Sequence, residues 1–359
     1  MKILYISPEN TAGTLNLWKL AHESKGNECT FITLFKSKHN FENGICLNLP
    51  FINTNSLYMA VRNNYYKIFR NKKGDYNELS GFPPIWEANS WIEKKYFSFR
   101  DYIWSFKIEP IIQKLGLLDY DIYHFEWGLD LYRDSRFVQR ISQMNKPIIC
   151  TYHGQDMRSR GVIPTIDKLS KLNLTSELDL MYKHPKIEYL FLPYDTTKHN
   201  PKYSLNKTIK VCHSPTNRYY KGSNTIISIC EEMALKGDIE FILIENMPHE
   251  DAIHIKAQCD IFIDQIHNRG GWGYGMNSIE ALSMGLCCIT ELVPEYVNFI
   301  SDHPFINVTG KTLKLTLENL INNSNSIIKY KKRSRNWVEK YHDIQNVTDQ
   351  LYKYYQKLF

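Results

Sequence analysis

Asp260-Ile261-Phe262-Ile263-Asp264-Gln265-Ile266-His267-Asn268-Arg269-Gly270-Gly271-Trp272-Gly273-Tyr274-Gly275-Met276-Asn277-Ser278-Ile279-Glu280 reads as a short strand, a glycine cluster and the start of a helix. The apolar run at its head has strand composition and the right length for one buried on both faces. Gly270, Gly271, Gly273 and Gly275 are expected to let the backbone approach a ligand closely and to adopt positive φ angles. The helix beginning near Met276-Asn277-Ser278 offers unpaired amides and a partial positive charge, which suit a diphosphate. Glu280 falls about one turn in, where its carboxylate can accept both hydroxyls of a ribose. The same letters also fit a plain glycine loop with Glu280 in solvent.

Outward from this stretch, β-rich runs alternate with amphipathic helical ones, the pattern of a parallel sheet covered by helices on both faces. Strands are expected at 208–213, 240–244, 260–264 and 286–289, with helices near 223–236, 249–258 and 276–284. A similar series precedes it. Strand 2–7, a turn through Gly13-Thr14, a helix at 15–24 closed by Gly26, and strand 29–35 make one βαβ unit. Further strands are expected at 121–126, 147–153 and 187–192, and the polar, proline-containing stretch 194–207 reads as a linker. The fold expected is therefore α/β, two doubly wound Rossmann-like domains facing a cleft. The first spans 1–195, a linker 196–207, the second 208–337, and a C-terminal helix 338–359 packs back toward the first. In such sheets ligands bind at the carboxyl ends of the strands.

Bulk properties narrow the class. The chain has 359 residues, 43% hydrophobic and 23% charged, which suits two globular domains rather than a disordered chain. It shows no apolar run of membrane-spanning length, and the apolar stretch at 1–8 is expected to be too short for a secretory leader. Eight cysteines, at 29, 46, 150, 212, 230, 259, 287 and 288, form no CxxC pair and mostly sit inside apolar runs. They read as buried thiols in a reducing cytoplasm, with neither a disulfide framework nor a metal site. A formal charge of +6 permits anionic partners, while no nucleic-acid-binding signature is present.

A second loop completes the picture. His213-Ser214-Pro215-Thr216-Asn217-Arg218-Tyr219-Tyr220-Lys221-Gly222 follows a strand and precedes a helix. Arg218 offers a fork-shaped cation and Lys221 a point cation, which together can neutralise a leaving diphosphate in place of a divalent metal.

This run, followed by Asp264-Gln265 and then by Ser278-Ile279-Glu280-Ala281-Leu282-Ser283-Met284-Gly285, resembles the donor-binding domain of GT-B glycosyltransferases of the family 4 type. The resemblance covers about 208–295 well and the first domain loosely. It implies transfer of a sugar from a nucleotide-diphosphate sugar to an acceptor hydroxyl, metal-independent and with retention, in the making of cell-surface polysaccharide or lipopolysaccharide. Arg218 and Lys221 would take the diphosphate and Glu280 the ribose. Gly13-Thr14 resembles the family's glycine loop, and His153-Gly154-Gln155-Asp156 its His-Gly-x-Asp segment, whose histidine faces the transferred sugar. His124, Glu126, Asp156, His213 and Asp264 are further candidates to line the cleft, and His249 lies where base recognition is expected.

Two departures stand out. The family's Glu-x7-Glu pattern would place a carboxylate eight positions before Glu280, where this chain has Trp272. Between strands 240–244 and 260–264 the chain is short, leaving Met247 to His249 to meet the base. The departures keep two other readings open: a GT-B sugar-nucleotide epimerase or phosphorylase, and a non-catalytic nucleotide-sugar-binding protein.

Asp119-Tyr120-Asp121 has the form of a metal-binding DxD but precedes a strand rather than following one, so it reads as chance. Residues 58–107 hold nine Lys or Arg against five Asp or Glu, interleaved with aromatics. That region reads first as a helical subdomain with an aromatic core, and second as a surface for a membrane or a lipid-linked acceptor. The basic run 329–335 reads as a solvated helix face.

Overall fold

In a computed structural model, the described residues are 1–37, 41–51, 60, 64, 81–88, 90–154, 156–267, 269 and 271–358. They divide into two compact units, Met1–Leu190 with Thr348–Phe359, and Phe191–Val347. The chain thus leaves the first unit near residue 190 and returns to it for its last dozen residues.

The first unit is built on a seven-stranded parallel sheet among the described residues. Its strands are β1 (Lys2–Ser7), β2 (Glu28–Thr33), β3 (Ile45–Cys46), β4 (Ile122–Glu126), β5 (Ile148–Tyr152), β6 (Leu172–Thr175) and β7 (Glu188–Tyr189). They run in the order β3-β2-β1-β4-β5-β6-β7, so the order reverses between β1 and β4. The second unit holds β8 (Lys210–His213), β9 (Glu240–Leu243), β10 (Ile261–Ile263), β11 (Cys287–Thr290) and β12 (Ile306–Asn307), in the order β12-β11-β10-β8-β9. Here the reversal falls between β8 and β10, whose register pairs Ile263 with His213. Central strands buried on both faces need unbroken apolar runs. Leu4, Ile6, Tyr123 and Phe125 meet this need in the first core, and Val211, Ile261, Ile263, Cys287 and Ile289 in the second.

The strands expected from the sequence are present with ends moved by no more than two residues, and the stretch at 187–192 shrinks to the two residues of β7. Three short strands went unread: β3, β6 and β12. Where a single C-terminal helix was expected at 338–359, two helices meet, Ser324–Tyr341 and Ile344–Tyr355. His342 ends the first of them. Its Nδ1 bonds the Leu192 carbonyl at 2.8 Å and its Nε2 the Tyr274 hydroxyl at 2.9 Å. Part of 58–107 lies outside the described residues; the rest includes one long helix, Trp91–Lys114. All eight cysteines are unpaired, and all but Cys46 are buried. No helix of the described residues is long and apolar enough to cross a membrane. Asp119-Tyr120-Asp121 lies ahead of β4, where an Asp121 oxygen accepts the Lys2 amide at 2.8 Å. It caps the amino edge of the sheet, away from the strand ends that carry ligands.

Candidate functional site

In the second unit the loops after β8 and β10 flank the point where strand order reverses. Asn217 caps a single helical turn, Arg218–Lys221, by accepting the amides of Tyr219 and Tyr220 at 3.0 and 3.3 Å. Gly222 ends that turn at φ 65°, and a Cβ there would lie 2.2 Å from the Ile266 carbonyl oxygen. Glycine is therefore required, because the two loops touch backbone to backbone at this point. Lys221 crosses the reversal and places its ammonium 2.5 Å from Asp264 Oδ1 and 3.1 Å from Gln265 Oε1. Asp264 Oδ2 in turn accepts the Ser278 hydroxyl at 2.7 Å, in the first turn of the helix Met276–Ser283. One buried carboxylate thus ties the cationic loop to the helix start. Arg218 is exposed and forks onto Glu245, just beyond β9, at 2.5–3.2 Å. That bond outweighs the cost of burial and holds the Glu245 carboxyl below its usual range.

Gly273 and Gly275 do not take up positive φ angles, contrary to expectation; Gly270 lies outside the described residues. Gly273 is needed because the Tyr296 ring packs against it, 2.4 Å from where a Cβ would stand. Gly275 faces open space and leaves the backbone ahead of Met276 and Asn277 uncovered. Gln265 holds the loop from beneath by donating to the Gly271 and Gly273 carbonyls at 3.3 and 2.7 Å.

Glu280 is buried and ion-paired rather than solvated. His249 Nε2 lies 2.7 Å from its Oε1, and Lys256 Nζ lies 2.7 Å from its Oε2. Burial alone would raise its pKa, but Lys256 and then His249 outweigh burial and hold the group below its usual range. Each carboxylate oxygen has lone pairs for a second hydrogen bond. Lys256 also bonds Asn277, whose side-chain amide donates to the Ser214 carbonyl. His213 is fully buried between the Ile263 carbonyl and the Ser223 hydroxyl, each at 2.8 Å. Burial pushes its pKa down to about 4, so it serves as a neutral brace beneath the loops rather than as a cleft wall.

In the first unit the reversal falls between β1 and β4. Gly13, at φ 70°, opens the helix Thr14–Ser24, and buried Asn10 pins the turn by donating to the Glu42 carbonyl at 2.8 Å. Glu126 ends β4 and meets His153, which follows β5, at 2.5 Å. Asp156 fixes the histidine's position by accepting its backbone amide with both oxygens, at 3.0 and 2.8 Å. His124 departs from the cleft-lining expectation. It is buried against Tyr5, with ring centroids 4.2 Å apart, and bonds the Tyr355 hydroxyl at 2.5 Å. Burial holds it neutral, well below its usual range.

Burial lowers the His153 pKa, but its hydrogen bond and charge interaction with Glu126 prevail and lift it to about 9. Unfolded, the group returns to about 6.5. The pair's stabilisation is therefore complete below about pH 6.5 and is lost as pH rises through about 9. With His153 nearly a third exposed, screening leaves roughly 1–2 kcal/mol. Urea unfolding of wild type and His153→Gln should show the wild-type advantage shrinking across that window. Parallel curves would mean that the pair carries no charge.

The sequence reading singled out Arg218, Lys221, Glu280 and His153; it did not single out Glu245 and Lys256, which pair with Arg218 and Glu280, and it named Gln265 without a role. Glu245 and Gln265 follow strand ends directly, a position that would have singled them out. No signal in the sequence marks Lys256.

No family model matches the sequence, and no curated protein matches it. Solved structures do. Sucrose-phosphate synthase from Thermosynechococcus elongatus matches with a TM-score of 0.60 at 12% identity, covering 100% of this chain and 99% of that one. HepE from Anabaena, in complex with UDP, matches at 0.57 and 8% identity, covering 99% and 100%. An alpha-glucosyltransferase in complex with UDP and DNA matches at 0.57 and 8%, covering 98% of each chain. At such identities the likeness speaks to the fold, which is the two-unit Rossmann-like GT-B fold of these glycosyltransferases.

Proposed function

We propose that the chain is a glycosyltransferase that moves a sugar from a nucleotide-diphosphate donor to an acceptor hydroxyl. The observation that carries this reading is the arrangement at the second reversal point. Two cations, a helix start and the ionised carboxylate of Glu280 lie there; Asp264 links Lys221 to the helix start, and Arg218 is held by Glu245. In catalysis Arg218 exchanges Glu245 for the diphosphate, and Lys221 and the amides near Met276 to Ser278 meet the charge that grows as the glycosidic bond breaks. These groups supply the stabilisation that a metal would otherwise give. By family resemblance, His153 and Gly13-Thr14 contact the transferred sugar, and configuration is retained. The acceptor belongs to a cell-surface polysaccharide or lipopolysaccharide, and the reaction takes place in the cytoplasm, where the unpaired cysteines stay reduced.

HepE is described in complex with UDP and with UDP-glucose, which makes uridine the first base to try. Thermal unfolding with UDP-, GDP-, ADP- and CMP-sugars tests the reading. A donor at about 100 times its Kd adds about 2.7 kcal/mol and raises Tm by a few degrees. If no nucleotide sugar shifts Tm, the reading fails. Trp272 in place of the expected carboxylate favours one rival, a binding protein without turnover. Transfer to any acceptor, or hydrolysis of a bound donor, excludes that rival.

A further inference from the structure

The helix Trp91–Lys114 is apolar on two opposite sides. One side is buried: Trp104, Ile108 and Ile112 enter the first core, beside an Arg100–Asp101 ion pair at 2.7 Å. The other side carries Trp91, Ile92, Phe99, Tyr102 and Phe106, all exposed, with Trp91 at 73% and Phe106 at 64%. At about 100° per residue these five fall within one arc of about 100° and extend about 22 Å along the axis. Tyr102 and Phe106 stack edge to face at 5.0 Å, and Phe51 leans toward Phe99 at 6.5 Å, so the stripe is continuous. Its inward side already has a core, so the aromatic stripe is not needed to hold the helix in place. A contiguous exposed apolar patch of this kind marks an interaction surface.

The exposed lysines of the helix flank it. Lys94, Lys95, Lys107 and Lys114 are exposed, and Lys95 falls inside the aromatic arc. Glu93 and Asp101 are on the buried side. The remaining acidic residue of the helix, Glu109, is engaged by Tyr132 at 2.9 Å and Arg140 at 2.8 Å. A second copy of this chain would set lysines against lysines across the stripe, which opposes pairing. Tryptophan and tyrosine among lysines suit the boundary between headgroups and acyl chains.

We propose that this face lays the first unit on an anionic lipid surface. The aromatic rings enter the headgroup boundary and the lysines meet the lipid phosphates, with the helix lying in the surface rather than crossing it. The proposal is independent of the donor chemistry.

Flotation of the full chain with vesicles tests it, using phosphatidylcholine alone and phosphatidylcholine with phosphatidylglycerol. Wild type should float with the anionic vesicles, and less so as salt rises. Trp91→Ser with Phe106→Ser should lower partitioning roughly tenfold or more at unchanged Tm. Lys94→Glu with Lys95→Glu should abolish the preference for anionic lipid. Failure of wild type to float overturns the proposal, as does wild-type flotation of the aromatic double variant. A lowered Tm in that variant would show the stripe packing against its own chain, and self-association lost with the aromatic residues would show a second copy; either also overturns it. Nucleotide-sugar thermal shifts on the same preparations read the donor site separately, so the two readings fail separately.

Discussion

Lys221→Ala should lower turnover by about two to three orders of magnitude, the scale of removing one preorganised charge from a transition state. The argument rests on where this ammonium sits. Its side chain is largely buried, 2.5 Å from Asp264, and Asp264 is shared with the helix start through Ser278. Substitution removes the cation and also leaves a buried carboxylate with one hydroxyl for company, which costs up to about 3–5 kcal/mol of stability. Turnover must therefore be referred to the folded fraction, measured by thermal unfolding in the same buffer. Affinity for UDP should fall further than affinity for uridine, because only the former carries the charge that Lys221 meets. Near-normal turnover in folded Lys221→Ala would overturn the role assigned to this residue.

Lys256→Met should destabilise the second unit by up to about 3–5 kcal/mol, since it takes the buried cation from a buried carboxylate and leaves it with His249 alone. Lys256 is almost fully enclosed, bonds both Glu280 and Asn277, and lies 5.2 Å from the Phe262 ring centre. The charge it neutralises can be removed as well. In the double variant Lys256→Met/Glu280→Gln most of the lost stability should return, while nucleotide binding should not. Urea unfolding of the four proteins in that cycle measures the coupling. A double variant no more stable than Lys256→Met would show that the lysine acts by filling space rather than by pairing charge.

The strand framework was legible because buried parallel strands demand apolar runs, and this chain writes them plainly at β1, β4, β5, β8 and β10. Where the run is interrupted or brief, as at β6 with Asn173 inside it or at two-residue β3 and β12, pattern reading had nothing to hold. The helix Trp91–Lys114 was expected only as part of a helical subdomain, without bounds, for the opposite reason. Apolar residues on two sides cancel the period that identifies a helix. At the candidate site, residues that follow strands were visible as such, which brought out Arg218, Lys221 and His153. Their counter-ions come from other elements, Lys256 lying 24 positions before Glu280 and Glu245 lying 27 after Arg218. Spacing along the chain does not encode those pairings. His124 and His213 show the converse: an imidazole near a strand end looks the same on paper whether it faces a ligand or a hydroxyl in the core.

The last helix adds a constraint of timing. Tyr352 bonds His22 at 3.0 Å and Asn27 at 2.6 Å, contacts that span 330 and 325 positions, and Tyr355 closes over His124. A ribosome emits the first unit's seven strands long before it emits these tyrosines. Until then His22, His124 and the Tyr5 hydroxyl lack these partners while the entire second unit is being made. The first unit is begun early and finished last. Its nascent form is the stage of this protein's life most open to chaperones and to aggregation.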